Sequence, residues 1–163
     1  MPKNLFEIRN KTRLFNGISY AVVGLSSVYT LINIFVINTN VKILGINNLS
    51  KYFLICFPVI SIIICIMMIK NAEKIMSNKA KIPLAFKKTN FSSENKKTFN
   101  RLQADTNILI NLIFQVMLLL TQVQTIYNAK GIQKPAGMLY IIFFGLIIFV
   151  SCRNMSKCLK ISK

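Results

Sequence analysis

The sequence contains no histidine and no tryptophan, and only four of its 163 residues are acidic. Without histidine, neither a Ser-His nor a Cys-His catalytic pair can form, and a zinc site built on imidazole is excluded. No glycine-rich phosphate-binding loop is present. Composition leaves a serine–lysine dyad open, but no pattern points to one. We therefore expect a non-enzymatic protein with no catalytic residue, metal site or cofactor.

Paired cysteines are also missing. The four cysteines are Cys56, Cys65, Cys152 and Cys158. Their spacing contains no C-x-x-C motif, which disfavours a thiol oxidoreductase. Two lie within apolar runs and two lie in or beside the basic C-terminal tail, so we expect unreactive thiols that serve packing.

Acidic residues are absent from the long apolar runs. The four acids are Glu7, Glu73, Glu94 and Asp105. Carriers coupled to protons or cations usually need an ionisable side chain within the membrane. Such a carrier is disfavoured here, and Asp105, near the start of the third run, is its sole candidate residue.

Long apolar runs dominate what is present, since 53% of the residues are hydrophobic. The predicted membrane spans are residues 14–37, 52–69, 108–127 and 135–152. The first would reach about 36 Å as a helix. It is too long for a signal-peptide core, and no small-x-small cleavage site follows it. The last run, 138–152, is short unless the helix starts at Pro135, and a tilted partial insertion is the alternative. The pattern predicts an all-α membrane protein with a four-transmembrane-helix bundle.

The basic residues predict the orientation of these spans. The formal net charge is +17, but lysine and arginine flank the apolar runs and form no single stripe, so nucleic acid is not an expected partner. Seventeen of the 21 basic residues lie in the two tails and the loop 70–107, and four lie in the other two connections. The positive-inside rule then puts both termini and this loop in the cytoplasm, an N-in/C-in arrangement. The same asymmetry supports the fourth span.

The chain is expected to form one membrane domain. Its segments are a cytoplasmic tail 1–13, the membrane domain 14–152 and a basic cytoplasmic tail 153–163. We expect the basic loop 70–107 to be largely helical. The second helix should continue past residue 70, Pro83 should stop it, and Ser92 or Ser93 should cap a new helix that leads into span three.

One helix face carries four amides. They are Asn107, Asn111, Gln115 and Gln122, at offsets of 4, 4 and 7. This spacing puts all four on one side of the third helix. An unpaired amide in hydrocarbon costs several kcal/mol, so the face should point into the bundle or towards another subunit. Interhelical hydrogen bonding and a polar path or peptide-binding groove are the two interpretations.

Two further surfaces are candidates for contacts. Gly17, Ala21 and Gly24 share a face of the first helix, where small side chains allow close packing and a homo-oligomer is possible. The second surface is the basic loop, with Lys79, Lys81, Lys87, Lys88, Lys96, Lys97 and Arg101. It would attract anionic lipid on the cytoplasmic face or an acidic partner, unless it serves topology alone.

Two functional hypotheses follow. The first is an interaction protein that binds another membrane protein or a membrane-active peptide, as in bacteriocin immunity (self-protection). The alternative is an accessory or channel-like subunit of a membrane transport assembly. The abundant isoleucine, asparagine and lysine share A- and T-rich codons, which suggests the cell membrane of a low-GC Gram-positive bacterium as the location.

Overall fold

A computed structural model describes residues 3–37, 41–43, 46–77, 92–132 and 137–161, with side chains omitted for 3–11 and 41–49. Its helices are α1 Lys3–Val36, α2 Cys56–Met76, α3 Ser93–Ala129 and α4 Gly137–Ile161. All four are long and apolar enough to cross a membrane. The predicted all-helical fold with four potential spans is therefore confirmed for the described part of the chain.

The longest helix, α3, begins where the sequence predicts a cap. The Ser92 side chain accepts a hydrogen bond from the Asn95 backbone N–H at 3.2 Å, and Glu94 occupies the favourable first turn. From there α3 continues unbroken for 37 residues, about 55 Å. Because a hydrocarbon core is about 30 Å thick, α3 is long enough to cross it and to extend several turns beyond it.

The opposite end of α3 has a glycine stop. Gly131 adopts a φ of 80°, in the left-handed region that only glycine enters without strain. Its N–H donates to the Asn128 carbonyl at 3.1 Å, and the Ile132 N–H donates to the Tyr127 carbonyl at 3.0 Å. This pair of bonds is a Schellman motif, which satisfies carbonyls that the helix end would leave unpaired.

A short hairpin between α1 and α2 was not predicted. Strand β1, Val41–Ile43, pairs antiparallel with β2, Ile46–Leu49, and β1 lies beside α3. A 3₁₀ turn, Lys51–Ile55, then leads into α2. Pro58 lies in the first turn of α2, where a backbone N–H would lack an intrahelical partner in any case.

The bundle is organised around α3, which packs against α1, α2 and α4. Apolar clusters join the helices at several levels: Val23 of α1 packs on Cys65 and Ile69 of α2, and Phe99 of α3 packs on Cys158 of α4. The attachment of α4 is the lightest. Only 6% of its apolar window is buried, against 28–33% for the other three helices.

Three contacts show which helix ends lie together. Thr12 of α1 bonds to Asp105 of α3, Asn107 of α3 bonds to the Met68 carbonyl of α2, and Asn95 of α3 bonds to the Ile161 carbonyl of α4. We call this side of the bundle the basic end. Its described basic side chains are Arg13, Lys70, Lys74, Lys96, Lys97, Arg101, Arg153, Lys157 and Lys160, and those described at the other end are Lys51 and Lys130.

Candidate functional site

The amide face of α3 meets α2 through Gln115. Its Nε2 donates to the Ser61 carbonyl at 3.2 Å, and the Ser61 hydroxyl donates back to Gln115 Oε1. The same Nε2 also donates to Asn111 Oδ1 at 3.1 Å, one turn earlier on α3. Both amides are fully buried. Gln115 and Ser61 therefore form a reciprocal pair inside the bundle.

Two more amides extend this contact towards the basic end. Asn111 Nδ2 lies 3.6 Å from Cys65 Sγ, a weak hydrogen bond. Asn107 Nδ2 donates to the Met68 carbonyl at 2.9 Å, which is a carbonyl of α2. From Asn107 to Gln115, a distance of about two turns, α3 thus presents its amides to one strip of α2.

The fourth amide faces a different helix. Gln122 Nε2 donates to the Ser26 carbonyl of α1 at 3.0 Å and to Thr30 Oγ1, and the Ser26 hydroxyl donates to Gln122 Oε1. Gln122 is fully buried. Because α1 and α2 both cross the same face of α3, one stripe of amides ties all three helices together. We call this set of contacts the amide seam.

Sequence reasoning missed the partners of the seam. These partners are the small hydroxyl residues Ser26, Thr30 and Ser61. Each lies within an apolar run, where a single hydroxyl residue gives no sequence signal for a contact with another helix. The spacing of Ser19, Ser26 and Thr30, at 7 and 4 residues, was the available signal for the buried face of α1. Ser19 Oγ and Asn16 Oδ1 are buried there without a hydrogen-bond partner among the described residues.

The predicted small-residue face lies elsewhere. Gly17, Ala21 and Gly24 are exposed, and an added Cβ at either glycine would meet nothing within 4 Å. Within the chain, α1 packs through the face that carries Ser26 and Thr30. Contact of the small-residue face with a second chain stays a prediction.

The basic surface is described only in part. Lys96 and Lys97 are exposed in the first turns of α3, and Arg101 is half-buried one turn further on. The other four predicted members, Lys79, Lys81, Lys87 and Lys88, lie outside the described residues.

The cysteines are free thiols. Cys65 belongs to the amide seam, and Cys158 lies buried between α3 and α4. Gln103 Nε2 lies 3.6 Å from Cys158 Sγ, which in turn lies 3.7 Å from Asn154 Oδ1. Within the described ranges, no three metal-ligating side chains gather into a possible metal site.

Comparison with known proteins finds no matching family, no matching curated protein and no matching solved structure. The helices themselves indicate a class, a multi-pass membrane protein, by their length and apolar composition.

Proposed function

We propose that this chain is a non-enzymatic cell-membrane protein that binds another membrane protein or a membrane-active peptide, as in self-protection against a bacteriocin. One observation carries the proposal: the amides of α3 are engaged by the chain's own α1 and α2. Gln115 and Gln122 each make several hydrogen bonds to these helices.

This engagement favours an interaction protein over a conduit. A polar path along α3 would require the buried amides to face water or a solute. Rotating them out of the seam would leave Ser61, Ser26 and Thr30 with fewer partners in a region without water, at a cost of roughly 1–3 kcal/mol per stranded group. The outer surface of the helices is then the part that other molecules can reach.

That outer surface is strongly apolar. Met138, Ile141 and Ile148 of α4 are each more than 60% exposed, as is Phe35 of α1. Lipid covers such side chains by default, and a membrane-embedded partner can replace that lipid through packing alone. A contact of the Gly17 face with a second copy is part of the same proposal.

The orientation belongs to the proposal as well. We infer that the basic end faces the cytoplasm of a low-GC Gram-positive cell, with both termini inside. The charge asymmetry supports this, since seventeen of the 21 basic residues lie in segments that adjoin the basic end.

Self-protection can be tested by deleting the gene and challenging the strain with the peptides that it secretes. We expect a several-fold fall in the inhibitory concentration of one such peptide. A plasmid copy of the gene should restore the original inhibitory concentration, whereas the same plasmid with a disrupted start codon should not. Unchanged sensitivity to every secreted peptide would rule out self-protection.

The alternative role, a subunit of a transport assembly, predicts a different effect of substitutions in the amide seam. If α3 lined a path, replacing Asn111 and Gln115 together with leucine would abolish flux through the assembly. If the chain is an interaction protein, we expect these leucines to destabilise the bundle. Any variant that still folds should bind its partner as the natural protein does. Loss of flux from a stably folded double variant would favour the transport role.

A further inference from the structure

A cleft opens at the basic end between three helices. It has a volume of about 540 Å³ and lies between α1, α3 and α4. Its apolar walls are formed by Phe15 of α1, Ile108 and Leu109 of α3, and Phe149 and Val150 of α4. Such walls suit a hydrocarbon chain better than a water-soluble ligand.

Two cations line the same cleft closer to its mouth. Arg153 and Lys157 follow Phe149 on α4 by four and eight residues, so they lie about 6 and 12 Å further towards the basic end. Both side chains are exposed. The cleft is therefore apolar towards the middle of the membrane and positively charged at the interface.

The charge of these two cations is available to a ligand. Neither Arg153 nor Lys157 forms an ion pair within the described ranges of the chain. The acid that lines the cleft is Asp105, which accepts a hydrogen bond from Thr12 Oγ1 at 3.2 Å and also lies close enough to interact electrostatically with Arg101. Asp105 thus has partners of its own, and a net positive charge remains at the mouth.

We propose that this cleft binds one anionic phospholipid from the leaflet at the basic end. The phosphate lies between Arg153 and Lys157, and an acyl chain runs along Phe149 and Ile108. A zwitterionic lipid would bring a positive charge of its own towards Arg153 and Lys157, so a net negative headgroup fits better. This site is distinct from diffuse attraction to the basic loop, and it does not depend on whether the chain binds a peptide.

The expected loss of lipid affinity on removal of Arg153 and Lys157 follows from their charges. A basic side chain near a membrane surface contributes enough to change the affinity for an anionic lipid by about fivefold. Removing both cations should therefore weaken binding by about 25-fold if their effects are independent.

The test is a lipid titration of the full-length protein in mild detergent, followed by native mass spectrometry. Phosphatidylglycerol and phosphatidylcholine with identical acyl chains serve as the two probes. We expect one phosphatidylglycerol to bind preferentially to the natural protein. The double variant Arg153→Gln with Lys157→Gln should lose about 25-fold in affinity for phosphatidylglycerol and should bind phosphatidylcholine as before.

A matched control removes two charges at the basic end outside the cleft. Lys74→Gln with Lys160→Gln changes the net charge equally, and its affinity for phosphatidylglycerol should stay within about twofold of the natural value. Equal losses in the two double variants would overturn the proposal in favour of diffuse attraction. Displacement of the lipid by millimolar inorganic phosphate would overturn it in favour of a simple anion site.

Folding is monitored independently, by helical content and by elution volume in detergent. Arg153 and Lys157 are exposed, so the glutamine variants should match the natural protein in both measurements. The single variants Arg153→Gln and Lys157→Gln are measured separately, and each should weaken phosphatidylglycerol binding by about fivefold. No weakening in either folded single variant would contradict the site.

Discussion

Ser61 and Gln115 exchange two hydrogen bonds in the buried interior of the bundle. Each is both donor and acceptor, because the serine hydroxyl donates to the amide oxygen and the amide nitrogen donates to the serine carbonyl. In water such a pair would contribute little, since solvent competes for both groups. In the bundle it fixes which turn of α3 lies against which turn of α2.

We predict that Gln115→Leu destabilises the bundle by about 1–2 kcal/mol. The leucine leaves the Ser61 hydroxyl without the amide oxygen to which it donates, and it removes the amide that donates to Asn111. The free energy of unfolding, measured by titration of the detergent-solubilised protein with dodecyl sulfate, checks this. A double-mutant cycle with Ser61→Ala should give a coupling energy of about 1 kcal/mol.

Thr121→Val is the control on the same helix. The Thr121 hydroxyl donates to the Met117 carbonyl within α3, so its loss removes a hydrogen bond inside one helix and leaves the hydrogen bonds of the amide seam in place. We expect a change of less than about 0.5 kcal/mol. A zero coupling energy between Gln115 and Ser61, or an equal effect of Thr121→Val, would contradict the role of the seam.

The amide face could be predicted from sequence, but its partners could not. A spacing of four and seven residues puts side chains on one side of a helix whatever surrounds it. Which helix that side meets depends on the crossing geometry. It divides the four amides between α2 and α1, since Gln115 reaches Ser61 and Gln122 reaches Ser26.

At the scale of the element, α3 is defined by its two ends. Ser92 starts it with a side-chain cap, and the Schellman motif around Gly131 ends it. Between them the helix continues from the basic loop through its apolar span without a break.

The stop at Gly131 supplies a second prediction. Gly131→Ala places a Cβ in a left-handed conformation, which costs about 1–2 kcal/mol. Gly137→Ala is the matched control, because Gly137 begins α4 with open space around it and no positive φ. That change should be neutral or stabilising by up to about 1 kcal/mol. The same dodecyl sulfate titration measures the free energy of unfolding of both variants. Equal values for Gly131→Ala and Gly137→Ala would exclude the Schellman motif as a stabilising feature.

Sequence patterns at this scale predicted the helices better than the connections. Long uncharged runs leave helix as the only structure that satisfies its own backbone in a membrane, so the four spans were predictable. The hairpin at Val41–Leu49 was not, because its strands have only three and four residues. The face of α1 was ambiguous as well: glycine and serine are both small, and the structure packs the face of Ser26 and leaves that of Gly17 outside.

At the scale of the whole molecule, the four helices alternate in direction, and the described basic side chains gather at the basic end. An even number of crossings returns both termini to the same side. Nine described basic side chains stand at that side against two at the other, and the interior of the seam contains amides and hydroxyls. A membrane whose cytoplasmic leaflet is anionic would hold this molecule in one orientation.

The orientation predicts the behaviour of fused reporters. A fluorescent protein attached after Lys163 should fold and fluoresce, and alkaline phosphatase at the same position should be inactive, because the proposed orientation puts the C-terminus in the cytoplasm. Alkaline phosphatase inserted in the connection after Gly131 should be active and serves as the control. Active phosphatase at both positions would mean that α4 does not cross the membrane. Activity after Lys163 without activity after Gly131 would mean that the whole bundle has the opposite orientation.

The central position of α3 has a consequence for biogenesis. The hydroxyls of Ser26, Thr30 and Ser61 enter the membrane with α1 and α2, but the amides that bond to them arrive only when α3 is synthesised. Until then these hydroxyls lack the amide partners that they have in the folded bundle. The third helix therefore completes the hydrogen bonds of this polar interior, and the lightly attached α4, which follows it in the chain, packs on α3 through Phe99 and Cys158.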